Sequence, residues 1–104
     1  MYRQGDVLIV PIDEVPPGLK RIAPVDGRTV LARGEATGHA HAIKDAHAVL
    51  FGGPETPTLF LLVSGDTPVA LEHEEHNAIA IPPGAYRVVR QREYHPLVTA
   101  FVSD

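Results

Sequence analysis

Two short segments of this chain concentrate side chains that can hold a cation. The first, EATGHAHAIKDAH at residues 35–47, carries His39, His41 and His47, three of the chain's six histidines. The second, LEHEEHNA at residues 71–78, sets His73 and His76 on either side of Glu74 and Glu75. Imidazole and carboxylate together suit zinc, and also nickel, iron or manganese. Residues i and i+2 of a strand share a face, about 7 Å apart, so His39 and His41 can converge on one point above a sheet. The small neighbours Ala40 and Ala42 leave room for the rings, and Gly38 permits a bend. His73 and His76 can face the same side if the chain turns at Glu74-Glu75. The expected ligands are therefore His39, His41, His73 and His76, for a divalent metal ion with zinc the first choice. Glu74 or Glu75 is expected as a further ligand, a general base, or an acceptor for a ligating ring's other N–H. Glu35, Asp45 and Glu72 are further candidates, as ligands or as acceptors of that kind. His47 and His95 read as surface residues. The bland alternative is a metal-free polar cluster, or a group of histidines that senses pH.

Other chemistry finds little support. The chain has no cysteine, which removes disulfides, thiolate nucleophiles and cysteine-type zinc sites. Its serines are Ser64 and Ser103, one in a turn and one near the terminus, and Thr37 is the hydroxyl nearest the histidines. A covalent hydrolase is not expected. Gly52-Gly53-Pro54 lacks the lysine and following helix of a phosphate-cradling loop. The formal net charge is −4, which disfavours nucleic acid as a partner. The one basic group is Arg87, Arg90 and Arg92. Arg90 and Arg92 share a face on a strand and could hold a small anionic ligand or a partner protein's carboxylates. The opening MYRQGDVLIV does not resemble a signal peptide, and no apolar run approaches the roughly 18 residues of a membrane span. A cytoplasmic protein is the expectation.

The elements that must position these residues are strands. With 104 residues, 44% hydrophobic and 21% charged, the chain is expected to form a single domain, residues 1–104, around one modest core. Ten prolines and nine glycines cut it into short β-branched segments, the pattern of an all-β sandwich or barrel. Strands are expected at 6–12, 27–33, 38–43, 48–51, 58–63, 69–73, 86–94 and 97–102, with a loop over 14–21 and a turn at Pro82-Pro83-Gly84. Val30 and Ala32 should share one face of their strand, with Leu31 and Arg33 on the other. The unbroken apolar run at 58–63 should be buried on both faces. Val69, Leu71 and His73 should form one row, with Ala70 and Glu72 opposite. The expected architecture is all-β with seven to nine short strands and little or no helix. Closure into a small β-barrel would remove exposed edges, and a compact sandwich is the alternative.

Two resemblances accompany these patterns. Gly34, His39-x-His41, the following Asp45 and Pro82-Pro83-Gly84 resemble part of the two-part cupin signature. That resemblance implies a small barrel and an HxH pair of ligands. Asp45 stands about where the signature has a glutamate, and Arg87 occupies its last ligand position. Over most of the chain, RQGDVLIVPI, GEATGHAHAI, HEEHNAIAIPPG and YRVVRQREY resemble a family of small bacterial and phage proteins with no assigned function. The expected function is a small metal-binding β protein, with one coordination position open if it is an enzyme. The alternative is a non-catalytic accessory module that meets a partner protein in a bacterial or phage system without metal. Small barrels associate through edge strands, so a homodimer is also plausible.

Overall fold

Turn-forming residues fall at nearly every chain reversal, and the segments between them are strands. A computed structural model describes residues 1–34, 38–53 and 56–91. Among these it has ten strands: β1 (Tyr2–Gln4), β2 (Val7–Ile12), β3 (Lys20–Ile22), β4 (Thr29–Arg33), β5 (Ala40–Ile43), β6 (Ala48–Gly53), β7 (Thr56–Val63), β8 (Val69–His73), β9 (His76–Ile81) and β10 (Gly84–Arg90). They form two antiparallel sheets, one of six strands in the order β1-β2-β10-β7-β6-β3 and one of four in the order β4-β5-β8-β9.

The all-β expectation holds, and the architecture is a compact sandwich. The closed, cupin-like barrel is not formed. Closure would need a backbone ladder between the sheets, and none runs between them among the described residues. Where β1 lies against β9, the link is a side chain instead, as described below. β1, β3 and β9 are not among the strands expected above and bring the number among the described residues to ten. The Gly5-Asp6 pair turns β1 back onto β2, so that Gln4 pairs with Val7. Gly5 sits at φ +60°, as the first central residue of a two-residue type II′ hairpin requires. β3 rises within and just beyond the expected loop over 14–21 and pairs with β6. The expected strand over 97–102 and the end of the one over 86–94 lie outside the described residues.

Alternation sorts side chains between core and solvent. Ile9, Leu61, Val63 and Val88 from the six-stranded sheet meet Leu31, Ile43, Val69, Leu71 and Ile81 from the other. Burying each such side chain contributes roughly 1.5–3 kcal/mol. The row Val69, Leu71, His73 faces inward as expected, with Ala70 and Glu72 exposed. Two expectations fail. Leu31 and Ala32 are both buried, because a register shift between Val30 and Ala32 breaks the alternation. β7 is not buried on both faces, for Leu62 is 37% exposed. An unbroken apolar run cannot say whether a second layer exists, and among the described residues none covers that face.

Candidate metal centre

β5 and the β8–β9 hairpin are neighbours in the four-stranded sheet, with Ala42 paired to Glu72 and Ile43 to Leu71. This register brings the start of β5 beside the β8–β9 turn. That turn is the two-residue Glu74-Glu75 loop, closed by the pair His73 and His76. The two histidine segments therefore meet. His73 lies at the middle, its ring centre 4.3 Å from that of His41, 4.7 Å from His76 and 5.7 Å from His39. His41 and His76 are nearly parallel at 6.0 Å.

All four anticipated histidines and both glutamates stand here, but in unequal roles. His39, His73 and Glu74 bring one ligating atom each within 4.8 Å of one another, a spacing that could hold one ion. Glu74 is steadied by Ala40, whose backbone N–H donates to Oε1 at 3.0 Å. That bond, more than the nearby histidines, holds the Glu74 carboxyl below its ordinary range. The carboxylate is thus ionised and ready as an anionic ligand. Glu75 places Oε2 3.5 Å from Nδ1 of His39, where it can orient that ring. Its own backbone N–H donates to Nδ1 of His73 at 3.0 Å.

His41 differs from the others because it is buried, only 4% exposed. Its surroundings fix its tautomer. Gln4, 3% exposed, donates both amide hydrogens to backbone carbonyls, to Leu71 at 2.8 Å and to Asn77 at 3.0 Å. Its Oε1 can then only accept, and Nδ1 of His41 lies 2.8 Å away. His41 must carry a proton on Nδ1, which leaves Nε2 as the free lone pair of the neutral ring. Nε2 points to Oδ1 of Asp6 at 3.4 Å. Burial, then the neighbouring His73 and His76, lower the His41 pKa, against an upward pull from Asp6. The other Asp6 oxygen faces Nε of Arg90 at 3.5 Å, and Arg90 also donates to the Arg33 carbonyl.

Gln4 and Asp6 belong to β1 and its turn, so the six-stranded sheet contributes to a site that sequence motifs place wholly on the other. Neither residue was anticipated. The one available signal is the Gly5-Asp6 turn dipeptide, whose Asp6 falls at the start of the strand expected over 6–12. His76 Nε2 stands over that turn, where a Cβ added to Gly5 would come within 2.7 Å.

The remaining anticipated groups lie elsewhere. Asp45 accepts from the His47 backbone N–H at 2.8 Å and pairs with its Nδ1 at 2.9 Å, closing the β5–β6 turn. Glu72 is exposed and faces Lys44 at 3.8 Å. Arg87 is exposed on β10, a strand of the six-stranded sheet. The cupin-like correspondence thus does not extend past the HxH pair: neither Asp45 nor Arg87 joins it. Glu35, Thr37, Arg92 and His95 lie outside the described residues.

The family described as a domain of unknown function (DUF8820) matches residues 3–91. The chain belongs to that family. The match spans every residue of the constellation, from Gln4 to Arg90. No curated protein and no solved structure matches the chain. Among the described residues no helix is long and apolar enough to cross a membrane.

Proposed function

We propose that this DUF8820 member binds a divalent metal ion through His39, His73 and Glu74. The observation that carries this reading is the convergence of their ligating atoms within 4.8 Å of one another. Two imidazoles and one carboxylate are the donor set of open metal sites, which keep positions for water or substrate. Zinc is the first candidate, and iron, manganese or nickel suit the same donors. Bound there, the ion would polarise a substrate oxygen or lower the pKa of a bound water. Glu75, beside His39, is placed to orient that ring or to take a proton from the water.

The supporting chemistry lies in how the ligands are held. Glu74 is fixed by a backbone N–H, and β5 and β8 are paired strands, so most of the geometry exists before the ion arrives. His73 is the exception. Its Nδ1 accepts the Glu75 N–H, and ligation through either ring nitrogen ends that bond. An ion on Nδ1 takes the lone pair, and an ion on Nε2 moves the proton onto Nδ1.

The alternative is an accessory module without metal, in a bacterial or phage setting. On the outer face of the six-stranded sheet, partly exposed Val10 and Phe60 flank the exposed Arg87, with Leu62 two residues beyond Phe60, and this mixed face favours it. Metal analysis separates the two. Protein purified without a histidine tag is expected to carry or take up stoichiometric zinc, and His39→Ala, His73→Ala and Glu74→Gln should each lose most of it. Folded protein that takes up no zinc, iron, manganese or nickel would remove the metal reading.

A further inference from the structure

His41 and Asp6 pose a separate problem from the His39, His73 and Glu74 group. Gln4 forces the proton of neutral His41 onto Nδ1. The Nε2 lone pair then faces a carboxylate oxygen 3.4 Å away. Two acceptors turned on one another, one of them on a buried ring and the other on a partly exposed carboxylate, repel unless something positive stands between them. That can be a proton or a metal ion. The distance suits the ion: two donors each about 2.1 Å from one metal, at a tetrahedral angle, are about 3.4 Å apart.

The surroundings have the form of a built ligand pair. The other nitrogen of His41 donates to a fixed acceptor, and the other oxygen of Asp6 faces Arg90. Ligating imidazoles and carboxylates are ordinarily oriented by just such neighbours. His76 Nε2 stands over Gly5, next in the chain to Asp6, so a third imidazole borders the same space. His73, a member of the first group, borders this pair, with its ring centre 4.3 Å from that of His41.

We propose that the constellation holds two divalent cations, the second between Nε2 of His41 and Oδ1 of Asp6. The inference rests on the metal reading above for its chemistry, but on different residues. With two protein donors against three, the second seat binds more weakly and fills after the first. It leaves more positions to water, and two neighbouring ions can share one substrate, as in sites that clamp an oxygen between metals. The class of ligand this selects is a small oxyanion, such as a phosphate or carboxylate, able to bridge both ions.

Zinc titration of the full chain by calorimetry, with metal analysis after desalting, tests the proposal. The wild type should take two equivalents, the second more weakly. Asp6→Ala and Asp6→Asn should each weaken the second at least tenfold while the first is unchanged. Glu74→Gln should weaken the first and spare Asp6-dependent binding. A wild type that takes one equivalent, unaffected by Asp6→Ala, overturns the second seat: only a proton then lies between His41 and Asp6, and the first site stands. Two equivalents undiminished by both Asp6 substitutions overturn it as well. No equivalents at all would overturn the metal reading and the second seat together. Because Asp6→Asn keeps the side chain's size at the turn, a folding failure of the alanine variant leaves the test intact.

Discussion

Gln4→Leu is the most informative single change, because Gln4 bonds three groups, two of them on buried residues. Leucine keeps most of the volume and removes every bond. The His41 Nδ1–H and the Leu71 carbonyl belong to residues 4% and 0% exposed, so both lose their partner out of reach of water. The Asn77 carbonyl belongs to an exposed residue and can turn to solvent. Each buried group left unsatisfied costs about 1–3 kcal/mol, and the added apolar side chain returns part of that. The net loss should be about 2–4 kcal/mol, a large share of the roughly 5–15 kcal/mol that holds a small domain folded. Urea unfolding in EDTA measures it as a lower midpoint at an unchanged slope. A second arm separates stability from site geometry. With Nδ1 no longer committed, His41 can place its proton on either nitrogen, and zinc binding that depends on Asp6 should weaken by about 10–100-fold. In the His41→Leu background the same Gln4 change should cost distinctly less, since one of its partners is already gone. A loss below about 0.5 kcal/mol together with unchanged zinc binding would refute the view that Gln4 fixes the tautomer.

Three further outcomes follow from the same geometry. Gly5→Ala meets both a left-handed backbone, φ +60°, and His76 Nε2 at 2.7 Å; the backbone alone costs about 1–2 kcal/mol, and the His76 ring signals should shift in NMR spectra while those of His39 stay. Zinc should release the Glu75 amide from His73 Nδ1, seen as a large shift and faster hydrogen exchange at that amide, absent in His73→Ala. Stability of the metal-free protein should fall on acidification. The folded His41 pKa lies below the ordinary 6.5, so between that value and the lower one the unfolded chain binds more protons. Stability is full above pH 6.5 and declines as pH falls through the folded value, and His41→Leu should flatten urea midpoints in that window.

How much of this was legible depended on whether a feature is local. The row Val69, Leu71, His73 follows from the two-residue period of a strand and was legible; the expected strand over 38–43 starts only at Ala40, so that period reaches His41 but not His39. The turn at Glu74-Glu75 was needed to bring His76 round, and it forms. Unreadable was anything set by contact between the sheets. Gln4 looks like an ordinary polar residue near a terminus, and only the approach of β1 to β9 makes it the partner of His41, 37 residues away. Asp6 is hidden in the same way, since its role comes from the turn that lifts its carboxylate over β5. The barrel expectation failed for a related reason. Strand number and turn spacing are alike in barrels and sandwiches, and the choice lies in whether edge strands pair.

The two cation seats differ in what they join, and this gives them separate physical signatures. His39 immediately precedes β5, His73 ends β8 and Glu74 opens the turn beyond it, all at one end of the four-stranded sheet. An ion there tightens one sheet locally. His41 belongs to that sheet and Asp6 to the other, so an ion between them ties the two layers together at an end where the Gln4 and Arg90 side chains already bond across. Any ligand that binds the folded chain alone stabilises it by RT ln(1 + [L]/Kd). Only the second seat does so by opposing separation of the sheets. Zinc at a level that fills the first seat should therefore slow exchange at β5 and β8 amides, with β1 and β2 little changed. Raising it further should extend protection to β1 and β2, and Asp6→Asn should abolish that second step alone. Protection that spreads across both sheets with the first equivalent would show that the seats are not energetically distinct.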